Sequence, residues 1–144
     1  TSKSINHDNS LLNCRINGLN KKTSDLFIID LKLKLKKRLF LNKYLKTRKT
    51  FLITSKNNSN KGSIYKKLGY KIIFINKLKN KNDLISLYKK IYKMGYSRML
   101  VEAGLTFLNN LIKNEMIHDL YIFKSNNKLG KNGKNNSTTK SNNK

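Results

Sequence analysis

Residues 98–114 read R-M-L-V-E-A-G-L-T-F-L-N-N-L-I-K-N. Met99-Leu100-Val101 is a short apolar run closed by a carboxylate, Glu102. Ala103-Gly104 follow, and then Phe107, Leu108, Leu111 and Ile112 recur at helical spacing. This pattern predicts a strand, a tight turn and a helix N-terminus. Such a junction gathers free backbone N–H groups and the positive end of a helix dipole, which suits a phosphate. Glu102 is one of only seven acidic residues in a chain of net charge +25. A carboxylate at an anion site must face a neutral, hydrogen-bonding part of the ligand, or repulsion weakens binding. The same residues also fit an ordinary strand-to-helix turn with a solvated Glu, and a motif this short does not decide between the two.

Outward from that stretch, continuous apolar runs mark further strands. Leu26-Phe27-Ile28-Ile29 ends in Asp30, and residues 50–54, 71–75 and 119–123 read similarly. Runs without a polar alternate fit strands covered on both faces. Residues 31–35 alternate Leu and Lys, the pattern of a strand with one wet face. Residues 40–45 are ambiguous. Residues 64–68 predict a short helix stopped by Gly69, after a polar loop over 55–62. Asp83 is placed as an N-cap for a helix carrying Leu84, Leu87, Tyr88 and Ile91, ended by Gly95. Residues 1–24 are rich in Asn, Asp and Ser and read as turns. Strands alternating with helices predict an α/β fold with a mostly parallel sheet. One domain is expected over residues 1–124, with a polar Asn/Lys tail over 125–144 too poor in apolar surface to offset ordering entropy.

The charge does not by itself mean nucleic acid. The excess is mostly Lys, spread along the whole chain beside many Asn and Ile residues, with no Pro or Trp. That is the mark of a codon bias toward A and T, whereas a selected basic patch is local and richer in Arg. No apolar run reaches the roughly 18 residues of a membrane span, so no membrane partner is expected and a cytoplasmic location is. The single cysteine, Cys14, excludes an intramolecular disulfide and a multi-cysteine metal site. Cys14 reads as a small buried thiol, and His7 and His118 as loop or helix-end residues with no metal spacing. The basic run over 32–38 reads as a wet strand face and a loop.

A second candidate site is S-I-N-H-D-N-S-L-L-N-C-R, residues 4–15. Arg15 suits a bidentate phosphate clamp, and Asp8 a ribose hydroxyl or an amide. A polar surface loop with Leu12 packed inward fits the same residues.

Taken in order, the two loops resemble the reductase domain of the bacterial bifunctional riboflavin-biosynthesis deaminase-reductases. That family shows a threonine, an Asp-Asn-Pro or Asp-Asp-Pro turn, then Leu and Arg. Here Ser4, Asp8-Asn9-Ser10, Leu12 and Arg15 stand in those places. Its V-V-L-D-S strand is similar to Phe27-Ile28-Ile29-Asp30-Leu31, and its L-V-E-G-G or V-E-A-G strand end to residues 100–104. Lys128-Leu129-Gly130 resembles a later Lys-Leu-Leu-Gly loop.

The resemblance implies a dihydrofolate-reductase-like, three-layer α/β/α fold. It also implies NADPH-dependent reduction of 5-amino-6-(5-phosphoribosylamino)uracil to its ribityl form. Ser4, Asp8, Gly104, Leu105, Thr106, Phe107 and Leu108 would bind NADPH, the cradle running on to Asn110. Leu12, Arg15 and Glu102 would bind the phosphorylated ribosylaminopyrimidine substrate, with Arg15 near its phosphate. The resemblance names no catalytic residue. A homodimer is implied as well.

Leu31 stands where the family has a cofactor-contacting serine, and Ser10 and Leu105 stand where it has prolines. The family's opening strand, with its Lys and Ser-Leu-Asp-Gly segment, has no counterpart in these residues. An N-terminally truncated excerpt is therefore expected, weak or inactive alone. Zinc would belong only to an upstream deaminase domain. The other readings are a stand-alone diaminopyrimidine reductase, a degenerate non-catalytic domain and a basic RNA-binding module.

Overall fold

The computed structural model describes residues 1–14, 16–18, 23–124 and 126. The chain forms two compact units, Thr1–Gly104 and a second beginning at Leu105.

In the first unit three strands, β1 (Leu26–Ile29), β2 (Thr50–Ser55) and β3 (Lys71–Ile75), form a parallel sheet in the order β1-β2-β3. Phe27 pairs with Phe51, and Ile53 with both Ile29 and Ile73. Side chains alternate across a strand, so the apolar runs divide between two cores. On one face Ile28 and Leu52 meet Ile5 of helix α1 (Ser2–Asp8), Leu35, Leu39, Leu41, Tyr70, and Tyr65 of helix α2 (Ser59–Leu68). On the other face Ile53 and Ile75 meet Leu87 and Ile91 of helix α3 (Lys81–Lys93), with Phe27, Ile29, Ile73, Tyr88 and Tyr96 around them. Helix cover on both faces is what a parallel sheet requires. The unit is mixed α/β, as the alternation of elements predicts.

Several local expectations change. Residues 99–101 and 119–123 are not strands, because neither run pairs with a neighbouring strand. Their side chains stay in solvent, Leu100 at 90% and Phe123 at 95% exposure. Residues 31–35 form a turn around Asp30 rather than an alternating strand. Residues 2–8, read as turns, are helical. Their weak propensity is overridden by tertiary bonds. The Asn6 amide donates to Lys34 O and accepts from Lys36 N, both at 2.8 Å, and the Asn9 side chain accepts from Phe40 N. The polar loop over 55–62 contains a 3₁₀ turn, Lys56–Asn58, and the first residues of α2. Residues 40–44 are also 3₁₀.

α2 lies close to β3 because Gly62 has no side chain. A Cβ there would sit 3.3 Å from the Phe74 ring. Gly69, at φ 106°, ends the helix as expected. At α3 the N-cap is Asn80, three residues earlier than expected. Its side chain accepts from Asp83 N, and Asp83 answers to the Asn80 N–H, a reciprocal capping box. The Lys79 N–H, which also donates to Asp83, holds that carboxyl below its ordinary range, with the Asn80 N–H and nearby Lys77 and Lys79 acting in the same direction.

After α3 the chain is fastened by Tyr96. Its ring stands edge-on to Phe27 and Phe51, at centroid distances of 4.9 and 5.9 Å, and its hydroxyl donates to Asp25. The bond to Asp25, then burial, raises the Tyr96 phenol from 10.0 to about 12.

The second unit carries α4 (Leu105–Lys113). The N–H of Met116 bonds Leu111 O, and that of Glu115, at φ 57°, bonds Ile112 O. These are the paired bonds of a Schellman stop, with Glu in the place glycine usually takes. No described helix is long and apolar enough to cross a membrane.

A phenol whose folded pKa exceeds its unfolded value adds stability below the unfolded value and loses it as pH rises through the folded one. Tyr96→Phe is therefore expected to cost about 1 kcal/mol below pH 10, given a partly exposed, charge-assisted bond. That deficit should shrink between pH 10 and about 12, the range set by the two phenol values. Urea unfolding of both proteins across this range measures it.

Candidate functional site

Three parallel strands end on one edge of the sheet, β1 at Asp30, β2 at Lys56 and β3 at Asn76. Open α/β sheets bind ligands outside these carboxyl ends, where the winding reverses. Here β1 to β2 and β2 to β3 are both linked across the face carrying Leu35, Leu41 and Tyr65. α3 covers the opposite face. Right-handed crossovers then direct the chain after α3 back toward β1. Tyr96 is beside Asp25 at the amino end of β1. The chain after α3 therefore passes beside β1 at Tyr96.

The sequence builds this edge from short polar side chains. Asp30 is buried at 4% exposure. Its N–H extends the ladder to Ile53 O, its carbonyl accepts from Leu33 N, and its carboxylate accepts from Leu35 N at 2.7 Å. Leu33 takes a left-handed φ of 52° in that turn. Asn58 then ties two strand ends together, donating to Leu31 O at 2.9 Å and to Thr54 Oγ1 at 3.0 Å.

The residues expected to bind ligand are placed as follows. Ser4 and Asp8 are exposed and four positions apart on α1, on one helical face. Asp8 is paired with the His7 ring, Nδ1 to Oδ1 at 2.7 Å, in solvent. Leu12 is half-buried against the first core at φ 49°, and its carbonyl accepts from Arg48 Nη1 at 2.7 Å. Arg48 precedes β2, so Leu12 lies toward the amino ends of the strands. Arg48 itself is 2% exposed, and its Nε has no partner among the described residues. Arg15 lies outside the described residues, as does the 128–130 loop.

Glu102 is exposed. Gly104 has open space where a Cβ would be, and its φ is not left-handed. Leu105, Thr106, Phe107 and Leu108 form the first turn of α4, the first two exposed and the last two half-buried. The described residues hold no cluster of three His, Cys, Asp or Glu side chains able to bind a metal.

Sequence reading missed Asn58 and the lysines that follow the strand ends. The available signal was positional, since each lies within a few residues of the end of an apolar run. A scan against protein-family models finds no match to this chain, and a search of curated proteins finds none either.

Removing the Asp30 carboxylate leaves the buried Leu35 N–H without its acceptor. Asp30→Ala is expected to lower stability by about 2 kcal/mol. Asp30→Asn, which keeps an acceptor oxygen, should lose less than half of that. Urea midpoints of the three proteins measure the order.

Proposed function

We propose that this chain is the reductase portion of a riboflavin-pathway enzyme with a dihydrofolate-reductase-like fold. Its reaction is the NADPH-dependent reduction of 5-amino-6-(5-phosphoribosylamino)uracil to the ribityl form. The observation that supports the reading is a parallel sheet covered by helices on both faces, with the first motif of the resemblance, residues 27–31, at its carboxyl edge. That edge is where nucleotide ligands bind in open parallel sheets.

The donor set suits a dinucleotide. Lys32 and Lys34, exposed just past β1, offer ammonium groups to phosphates, and Ser4 and Asp8 present a hydroxyl and a carboxylate along one side of α1. The nicotinamide group supplies the hydride when bound. The protein's own part is to hold donor and acceptor in reacting geometry and to exclude competing reactions. Glu102, as an acceptor, takes hydroxyl or amino hydrogens of the neutral end of the substrate. Arg15 takes the substrate phosphate. Asp30 holds the turn after β1 in shape rather than touching ligand, since its carboxylate is already engaged by Leu35 N.

In the complete protein that contains this chain, NADPH is expected to bind at physiological salt and to be oxidised by the phosphoribosylaminouracil. Glu102→Gln should raise the substrate Kd about tenfold, the loss of one charge-assisted bond, with NADPH affinity unchanged. NADPH fluorescence titration measures both, and a folded complete protein that fails to bind NADPH sinks the reading.

A further inference from the structure

The carboxyl ends of β2 and β3 and the first turns of α3 enclose a cleft of about 140 Å³. By liquid volume that is room for about four waters. Its lining includes Lys56 from the turn after β2, Asn76 and Lys77 from the turn after β3, and Ser86 and Lys90 from α3. Ile75 and Leu87, both buried, also line it. Three exposed lysines from three separate elements therefore line one cleft. Lys90 is held there, its Nζ donating to Phe74 O at 3.3 Å, which uses one of three N–H donors. The only carboxylate in the lining, Asp83, spends Oδ2 on the N–H groups of Lys79 and Asn80. Lys77 acts on the Asp83 charge. Even after that pairing, the recess keeps a net positive charge.

We propose that this cleft binds a phosphate group, held by Lys56, Lys77 and Lys90 with Ser86 and Asn76 supplying neutral hydrogen bonds. The chemistry is specific in kind. Lysines approach a phosphate as mobile point charges, and hydroxyl and amide groups complete the coordination of its oxygens. The site stands independently of the reductase reading, which places its ligands beside β1.

The test is titration of the chain with inorganic phosphate at fixed ionic strength, made up with chloride, and followed by amide chemical shifts. Three proteins are compared: wild type, Lys56→Gln/Lys77→Gln, and Lys61→Gln/Lys66→Gln as an equal charge change on exposed α2. Saturable shifts at residues 55–57, 76–78 and 83–90 are expected. The first variant should raise Kd about tenfold and the second should leave it within about twofold. Competition then identifies the source of the phosphate. Displacement by NADPH but not by NADH assigns the group to a nucleotide 2′-phosphate. Displacement by ribose 5-phosphate alone assigns it to a sugar phosphate. Shifts that never saturate, or that weaken equally in both variants, overturn the proposal, because they report charge alone. Thermal unfolding of each variant confirms that it is folded before titration.

Discussion

β2 has strands on both sides and helices on both faces, and that double burial constrains everything around it. Phe51, Leu52 and Ile53 are each at most 5% exposed. Each such side chain contributes about 1.5–3 kcal/mol when fully buried. Neither face of β2 can be left open without forfeiting part of that, so α1, α2 and the 3₁₀ turn at Phe40–Tyr44 must lie on one side and α3 on the other. Parallel pairing adds a second demand, because the chain has to travel back along the outside of the sheet before each new strand. The helices are therefore both the connections and the covers. Aromatic contacts reinforce the arrangement at the amino end, where Phe27 and Phe51 stack at 4.5 Å and Tyr96 closes over them.

The change of face between α2 and α3 sets the path of the chain beyond the sheet. Two connections on the same face carry the sheet outward from β1 to β3. The next, on the opposite face, returns the chain toward β1. Tyr96, bonded to Asp25 and packed on Phe27, marks that return. Backbone donors and acceptors at the carboxyl edge are then managed by single side chains. Asp30 satisfies the turn after β1, Asn58 joins the ends of β1 and β2, and the Asn80–Asp83 box caps α3. Cationic side chains emerge between these fixed points. A basic chain gains local meaning only where such fixed points crowd its lysines together, as Lys56, Lys77 and Lys90 are crowded.

Apolar runs determined β1, β2 and β3 from sequence alone, because a run of four or five apolar residues bounded by polar ones has few places to go but a strand covered on both faces. Gly69 marked the end of α2 for an equally local reason, the left-handed conformation that other residues resist. The apolar face of α3 was legible in Leu84, Leu87 and Ile91, all of them buried. Tertiary structure decided the rest. Residues 99–101 and 119–123 have strand composition, yet a strand exists only when a neighbour accepts its hydrogen bonds, and composition cannot supply the neighbour. α1 has turn composition, yet Asn6 and Asn9 bind backbone some thirty residues away and hold it helical. Of the candidate site, the sequence singled out Glu102 and the helix that follows Gly104. It could not show that Lys56, Lys77 and Lys90 line one cleft, because that proximity depends on which face each crossover takes. That choice is made by the packing of the whole sheet and leaves no local mark in the chain.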